Sequence, residues 1–295
     1  MFFLNMYMYM FMIFVSLFYS NFIMMWFFME MSNIFFFFML NFMNKYKESN
    51  IIYFIIQEMS SIYLIFFFIF NNIHIVTFFL LLKLGMFPFH NWILKICKNF
   101  SWNLSFILLN FQKIIPFMML YLVFSFNLTL IIVMNMLTFI FNLINCYNMK
   151  YFFFLNSMMS MSWFLMLIMI NKMFFFMYML MYMLLNFFSF KYFNNKNMIS
   201  FLFKNNYNFY MFFIILNLIS FPPSLMFLYK MKILNFLFLM KMNFLFMIML
   251  MILVIYMYMS FFFFFLSFFM SFKMEKNNFL KLMFFFLINF FFFFL

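Results

Sequence analysis

An all-α, polytopic transmembrane bundle of about eleven helices is the fold this sequence predicts, on three observations. First, 72% of the 295 residues are hydrophobic and only 7% charged, with a mean hydropathy of +1.15. No soluble core of this size could use so much apolar surface. Second, the apolar residues fall in runs of bilayer-crossing length, about 20 residues, separated by short polar connections. Third, the single glycine and all four prolines lie close to a lysine inside an apolar run. Proline removes an i→i−4 hydrogen bond, so these sites predict interrupted helices. Within a bilayer, such a break survives only where protein or water satisfies the freed backbone groups.

Taken in order, the spans are 2–19, 22–43, 51–70, 74–94, 102–124, 126–146, 150–170, 173–190, 206–228, 243–268 and 279–295. The first is uncharged and no small-residue cleavage site follows it, so it is expected to span rather than to be removed as a signal. The second carries Glu30 and the third Glu58. The fourth carries Lys83, Gly85, Pro88 and His90. The fifth carries Lys113 and Pro116, and Lys150 opens the seventh. The ninth ends at Pro222 and Pro223, and Met231–Met242, too short to span alone, is expected to be the second half of a helix broken there. The connections Asn44–Asn50, Lys95–Ser101, Lys191–Asn205 and Lys273–Asn278 are too short to form an extramembrane domain. Residues 1–295 are expected to be one membrane domain.

The formal charge of +13 comes from 17 lysines and four glutamates, with Arg, Asp and Ala absent. No basic patch on a soluble face accompanies it, so nucleic acid is not an expected partner. Lys45, Lys47, Lys95, Lys98, Lys191, Lys196, Lys204, Lys273 and Lys276 cluster in the connections, where lipid headgroups and neighbouring proteins can face them. They are too evenly spread to set orientation by the positive-inside rule.

Residue usage also points to a genome. Phe (69) and Met (42) dominate, and Asn, Ile, Tyr and Lys are abundant. All have A/T-rich codons, and the methionine excess suggests that AUA is read as Met, as in animal mitochondria. The gene is therefore expected on an A+T-rich mitochondrial DNA. Phe runs such as Phe35–Phe38, Phe261–Phe265 and Phe290–Phe294 are then expected to be mutational filler facing lipid. Ser and Asn remain as the small or polar residues of helix interfaces. Two cysteines, Cys97 and Cys146, are too few and too distant for a metal site or a disulfide framework.

Buried charge carries the chemistry. A lysine at a helix centre costs about 2.5–3.5 kcal/mol to insert, and a mid-span glutamate must find a cation or take up a proton. Glu30 and Glu58 have no cation within one helical turn, and Lys83 and Lys113 sit mid-span. Carboxylates and lysines that desolvation pushes toward neutrality can exchange protons near physiological pH. A static ion pair fixing helix register is the alternative. Three intramembrane lysines, Lys83, Lys113 and Lys230, each beside a helix break, favour a proton path. His90 is open to a relay or a structural hydrogen-bonding role, as are Lys150 and Glu58. Two histidines are too few for the axial haem or copper ligands that a haem-bearing cytochrome b or an oxidase subunit needs.

The block K-L-G-M-F-P-F-H-N-W from Lys83 to Trp92, followed by Q-K-I-I-P at Gln112–Pro116, resembles the central signature of the mitochondrial NADH dehydrogenase subunit 2 family. Four further segments resemble that family in order: Trp26–Ile34, Ile51–Gln57, Met149–Trp163 and Phe221–Lys230. The resemblance implies an antiporter-like membrane subunit of respiratory complex I in the mitochondrial inner membrane, translocating protons. It implies no cofactor in this chain: NADH, FMN, iron–sulfur clusters and ubiquinone would be handled by other subunits. Implied partners are another antiporter-like subunit, the small membrane subunits and lipids. Carried over by position, Glu30 and Lys83 would form an ion pair, Lys113 would be the central relay and Lys230 the lysine of the second broken helix. The chain departs from the family pattern at Phe87 (Ala there), Leu94–Lys95 (Pro-Glu), Ser220–Phe221 (Gly-Leu) and Met226 (Gly). Glu58 is not part of that pattern and is expected to pair with a lysine nearby.

Overall fold

A computed structural model describes residues 2–43, 46–123, 128–144, 149–170, 172–194, 216–222 and 224–269. Among them every regular element is a helix, so the chain is an all-α bundle. The helices are α1 (Phe2–Ser16), α2 (Phe22–Met43), α3 (Lys47–Ile69), α4 (Ile73–Leu84), α5 (Asn91–Asn99), α6 (Trp102–Asn110), α7 (Ile114–Val123), α8 (Thr129–Ile144), α9 (Met149–Ile170), α10 (Lys172–Asn194), α11 (Leu225–Leu239) and α12 (Asn243–Phe269). A 3₁₀ turn, Phe111–Lys113, joins α6 to α7.

Among the described residues six helices are long and apolar enough to cross a bilayer: Phe22–Met43, Lys47–Ile69, Trp102–Val123, Lys150–Ile170, Met173–Lys191 and Asn243–Ser260. Phe2–Ser16, Ile73–Leu84 and Thr129–Leu143 are shorter apolar helices. The expected span 279–295, residues 206–215 of the span 206–228, and Pro223, Cys146, Lys45, Lys196, Lys204, Lys273 and Lys276 lie outside the described residues.

The bundle packs α1 on α2, α2 on α3 and α7, α3 on α4 and α5, and α8 on α9 and α12. Its axis is α9, whose residues 152–168 are all buried. A helix that is apolar all round belongs in such a position. The serines behave as expected of small interface residues. Ser32, Ser60, Ser157, Ser160 and Ser189 are buried and each donates its hydroxyl to the carbonyl three residues back. A buried polar group satisfied within its own helix leaves the surface free for close packing. Phe36 corrects the expectation of lipid-facing filler: it is 0% exposed, edge-on to Tyr53 and beside Tyr9. The aromatic contacts of the core recruited it, and a uniform Phe run gives no sign of which ring they take.

Four helix ends share one device. At Asn71, Gly85, Ser220 and Lys241 the backbone turns left-handed, with φ between 57° and 64°. In each, the next residue's N–H reaches back five residues, as Met86 does to the Leu81 carbonyl and Phe221 to that of Leu216. This is the Schellman closure, normally made by glycine. Here glycine makes one and Asn, Ser and Lys make the others, at a cost of about 1–2 kcal/mol for a residue with a Cβ.

Gly85 is the position where the glycine cannot be spared. Its φ is +64°, and an added Cβ would lie 1.9 Å from Ile93 Cδ1. Gly85→Ala is therefore expected to destabilise the α4–α5 junction by about 2–4 kcal/mol, combining backbone strain with overpacking. A thermal melt of the purified assembly checks this; an unchanged transition would contradict the close approach of α5.

The break at Gly85–Pro88 is where the sequence placed it. The expected break at Pro116 is not: α7 runs through Pro116, and the irregularity is the preceding turn, Phe111–Lys113. Pro116 is the third residue of α7, where an N–H has no intrahelical partner, so proline is tolerated there. Pro222 follows the left-handed turn at Ser220 that ends the helical residues 216–219.

Candidate functional site

Lys83 is the next-to-last residue of α4, directly before the Gly85 turn, and Glu30 is mid-way along α2. The Lys83 Nζ donates to Glu30 Oε1 at 3.1 Å, with the two side chains 1% and 13% exposed. Among the described residues this is the one ion pair. Glu58, on α3, faces a lysine of a neighbouring helix, Lys83, but shares it with Glu30, which makes the direct ion pair. The Glu58 oxygen Oε1 is buried without a hydrogen-bond partner. Two carboxyls and one ammonium therefore share a single site between α2, α3 and α4.

The backbone groups freed by the α4 break are satisfied by side chains that sequence reasoning did not single out. The Phe87 N–H donates to Asn135 Oδ1 at 3.1 Å, and the amide nitrogen of Asn135 reaches the Met158 carbonyl and Ser162 Oγ on α9. Trp92 Nε1 donates to the Leu82 carbonyl at 3.2 Å. Asn135 is thus the bridge from the first break to α9, and its fully buried position makes each of these bonds costly to lose. The one signal for it in the sequence is a lone asparagine in the apolar stretch I-I-V-M-N-M-L.

Lys113 is buried at the end of the 3₁₀ turn, and its Nζ donates to Ser157 Oγ on α9 at 3.2 Å. No carboxylate accompanies it among the described residues. Beside it is a cavity of about 10 Å³ lined by Asn110 and Tyr182, among others. That is room for roughly one water, with polar groups to hold it. Asn186 on α10 donates to Asn110 Oδ1 at 2.7 Å, and Tyr182 hydrogen-bonds Ser160 and Asn186. A polar thread therefore runs through α6, α9 and α10 at the level of Lys113.

Lys230, on α11, is 3% exposed and donates to the Ser220 hydroxyl. Its ammonium also lies 4.6 Å from the ring centre of Tyr256 and 5.6 Å from that of Trp163. Aromatic faces stabilise a desolvated cation. Where the resemblant family has glycine, Ser220 keeps the left-handed turn and adds the hydroxyl that Lys230 uses. Lys150 donates to the Phe100 carbonyl at 2.7 Å, capping the end of α5 against Trp102. His90, half-buried at the start of α5, has no hydrogen-bond partner for Nδ1. The structure thus joins Glu30, Glu58 and Lys83, and places Lys113 and Lys230 in separate polar niches.

No family model matches the chain. Curated relatives do. The chain is 45% identical over 42 residues to NADH-ubiquinone oxidoreductase chain 2 of Artemia salina, covering 14% of this chain and 31% of the relative. It is 45% identical over 42 residues to the protein of that name from Artemia franciscana, covering 14% of each. It is 41% identical over 51 residues to the one from Sylvisorex johnstoni, covering 17% of this chain and 15% of the relative. The matched stretches span less than a third of any of these relatives. Within them, the chain resembles NADH-ubiquinone oxidoreductase chain 2.

Proposed function

We propose that this chain is a chain 2-type membrane subunit of respiratory complex I, working in the mitochondrial inner membrane. In this reading it moves protons through Glu30, Lys83, Lys113 and Lys230. Quinone reduction takes place in other subunits, which hold NADH, FMN, the iron–sulfur clusters and ubiquinone. The observation that carries the reading is the set of three buried lysines, each next to an irregular helix segment. Two of them are held by a serine hydroxyl in place of a carboxylate. A lysine solvated by hydroxyl and water can release its proton and recover it, whereas a purely structural cation calls for a fixed counter-charge. The shared site of Glu30, Glu58 and Lys83 supports the reading further, because it sets two carboxyls beside one lysine where a proton can pass between them.

Lipid, another antiporter-like subunit and the small membrane subunits are the proposed neighbours. Affinity isolation of the tagged chain from its native membrane is expected to bring down an assembly that oxidises NADH with ubiquinone. Vesicles reconstituted with that assembly should develop a proton gradient when NADH is added. Recovery of the chain as a functional monomer, or within an assembly that does not oxidise NADH, would overturn the proposal.

A further inference from the structure

The helical residues 216–219 end in the Ser220 turn, which uses the Leu216 and Asn217 carbonyls. The Leu218 carbonyl is left over. In an uninterrupted helix it would accept from residue 222, but that residue is Pro222, which has no N–H. A buried carbonyl with no donor is expensive in a membrane protein. The donor comes from another helix: the Tyr256 hydroxyl of α12 lies 3.0 Å from the Leu218 oxygen. It lies also 2.6 Å from Asn156 Oδ1 on α9. One hydroxyl proton thus faces two acceptors, and Tyr256 is 0% exposed. The ring of the same residue faces the Lys230 ammonium, 4.6 Å from its centre, and Lys230 is tied to the turn itself through Ser220.

We propose that Tyr256 is a positioning residue for proton transfer at Lys230: its hydroxyl holds the end of the broken helix and its ring holds the ammonium. The proposal rests on the functional reading above and adds to it a residue outside the resemblant segments. Two functions fall on one side chain. The hydroxyl completes the backbone at the break, and the aromatic face supplies attraction that no carboxylate among the described residues supplies at Lys230. A change at one is felt at the other through the short path Leu218–Ser220–Lys230. Asn156 gives the hydroxyl proton a second resting place, so the tie to Leu218 can loosen without leaving the hydroxyl unpaired.

The test compares Tyr256→Phe, which keeps the ring, with Tyr256→Leu, which keeps neither feature, in the intact assembly. In Tyr256→Phe, backbone hydrogen exchange of peptides spanning 216–224 should rise about fivefold, the scale of one lost hydrogen bond. Protons moved per electron pair should fall at least about twofold, with the amount of assembled complex unchanged. Tyr256→Leu should show the same exchange and a larger loss of translocation. Unchanged exchange in Tyr256→Phe overturns the proposal. Raised exchange with unaltered translocation in both variants also overturns it, leaving a packing role alone. A parent that moves no protons overturns the functional reading, and with it the transfer role of Tyr256; that outcome is recognised from the parent before any variant is compared.

Discussion

Replacing Lys113 with arginine should leave the chain inserted and assembled yet reduce proton translocation by roughly 10²-fold, the contribution of a positioned acid–base group. Lys113 is 5% exposed, and among the described residues its ammonium reaches one acceptor, the Ser157 hydroxyl, which itself donates to the Phe154 carbonyl. A guanidinium retains its proton at any relevant pH and spreads five donors in a rigid fork. Neither property suits a niche with one hydroxyl and room for about one water. Lys113→Met separates loss of the charge from misfit. It removes an insertion cost of about 2.5–3.5 kcal/mol, so it should assemble at least as well as the parent and still fail to translocate. The measurement is protons moved per electron pair in sealed vesicles, with the amount of assembled complex determined in parallel. An arginine variant that assembles and translocates like the parent would make Lys113 a fixed charge, and the static reading would stand.

Where polar residues interrupt the apolar text, the sequence discloses the fold well. The second span, 22–43, coincides with α2, because Asn21 and the Asn44–Asn50 connection mark its ends. The Gly85–Pro88 break was legible because it is too costly in a bilayer to be incidental; the same cost demanded a partner for Glu30, and the family resemblance, not the cost, named Lys83. What the sequence hid follows from its monotony. With 69 Phe and 42 Met, helices such as α4 and α9 are apolar on every side, so no stripe marks the face that turns inward. Burial of Phe36, and the assignment of Asn135 to the Phe87 N–H, are decided by shape and by single hydrogen bonds across helices. Ser220 misled in a different way. The family's glycine there put close helix approach at the second break in doubt for this chain, yet the serine accepts the left-handed turn and gives Lys230 its hydroxyl. Proline at 116 was given too much weight, since its consequence depends on where the helix begins, and α7 begins two residues before it.

Lys83→Met should be the most damaging single change for assembly, and Glu30→Gln a milder one. Removing one partner of a buried pair costs about 3–5 kcal/mol when the other is left as an uncompensated charge. Lys83→Met leaves Glu30 and Glu58 together with no cation, and both must then be neutral to remain buried. Glu30→Gln removes one carboxyl but leaves Glu58 near Lys83, so a counter-charge survives. The double change Glu30→Gln with Lys83→Met removes both members of the pair, and a pair replaced together is often neutral in stability. It should therefore assemble better than Lys83→Met alone, because one buried carboxyl, Glu58, is left without a cation instead of two, while remaining unable to translocate, because Glu30 and Lys83 are gone. Native gels give the assembled fraction for the three variants, and vesicle acidification gives their translocation. Equal assembly defects in Glu30→Gln and Lys83→Met would show that Glu58 does not serve Lys83. A double variant that translocates normally would remove this pair from the proton path altogether.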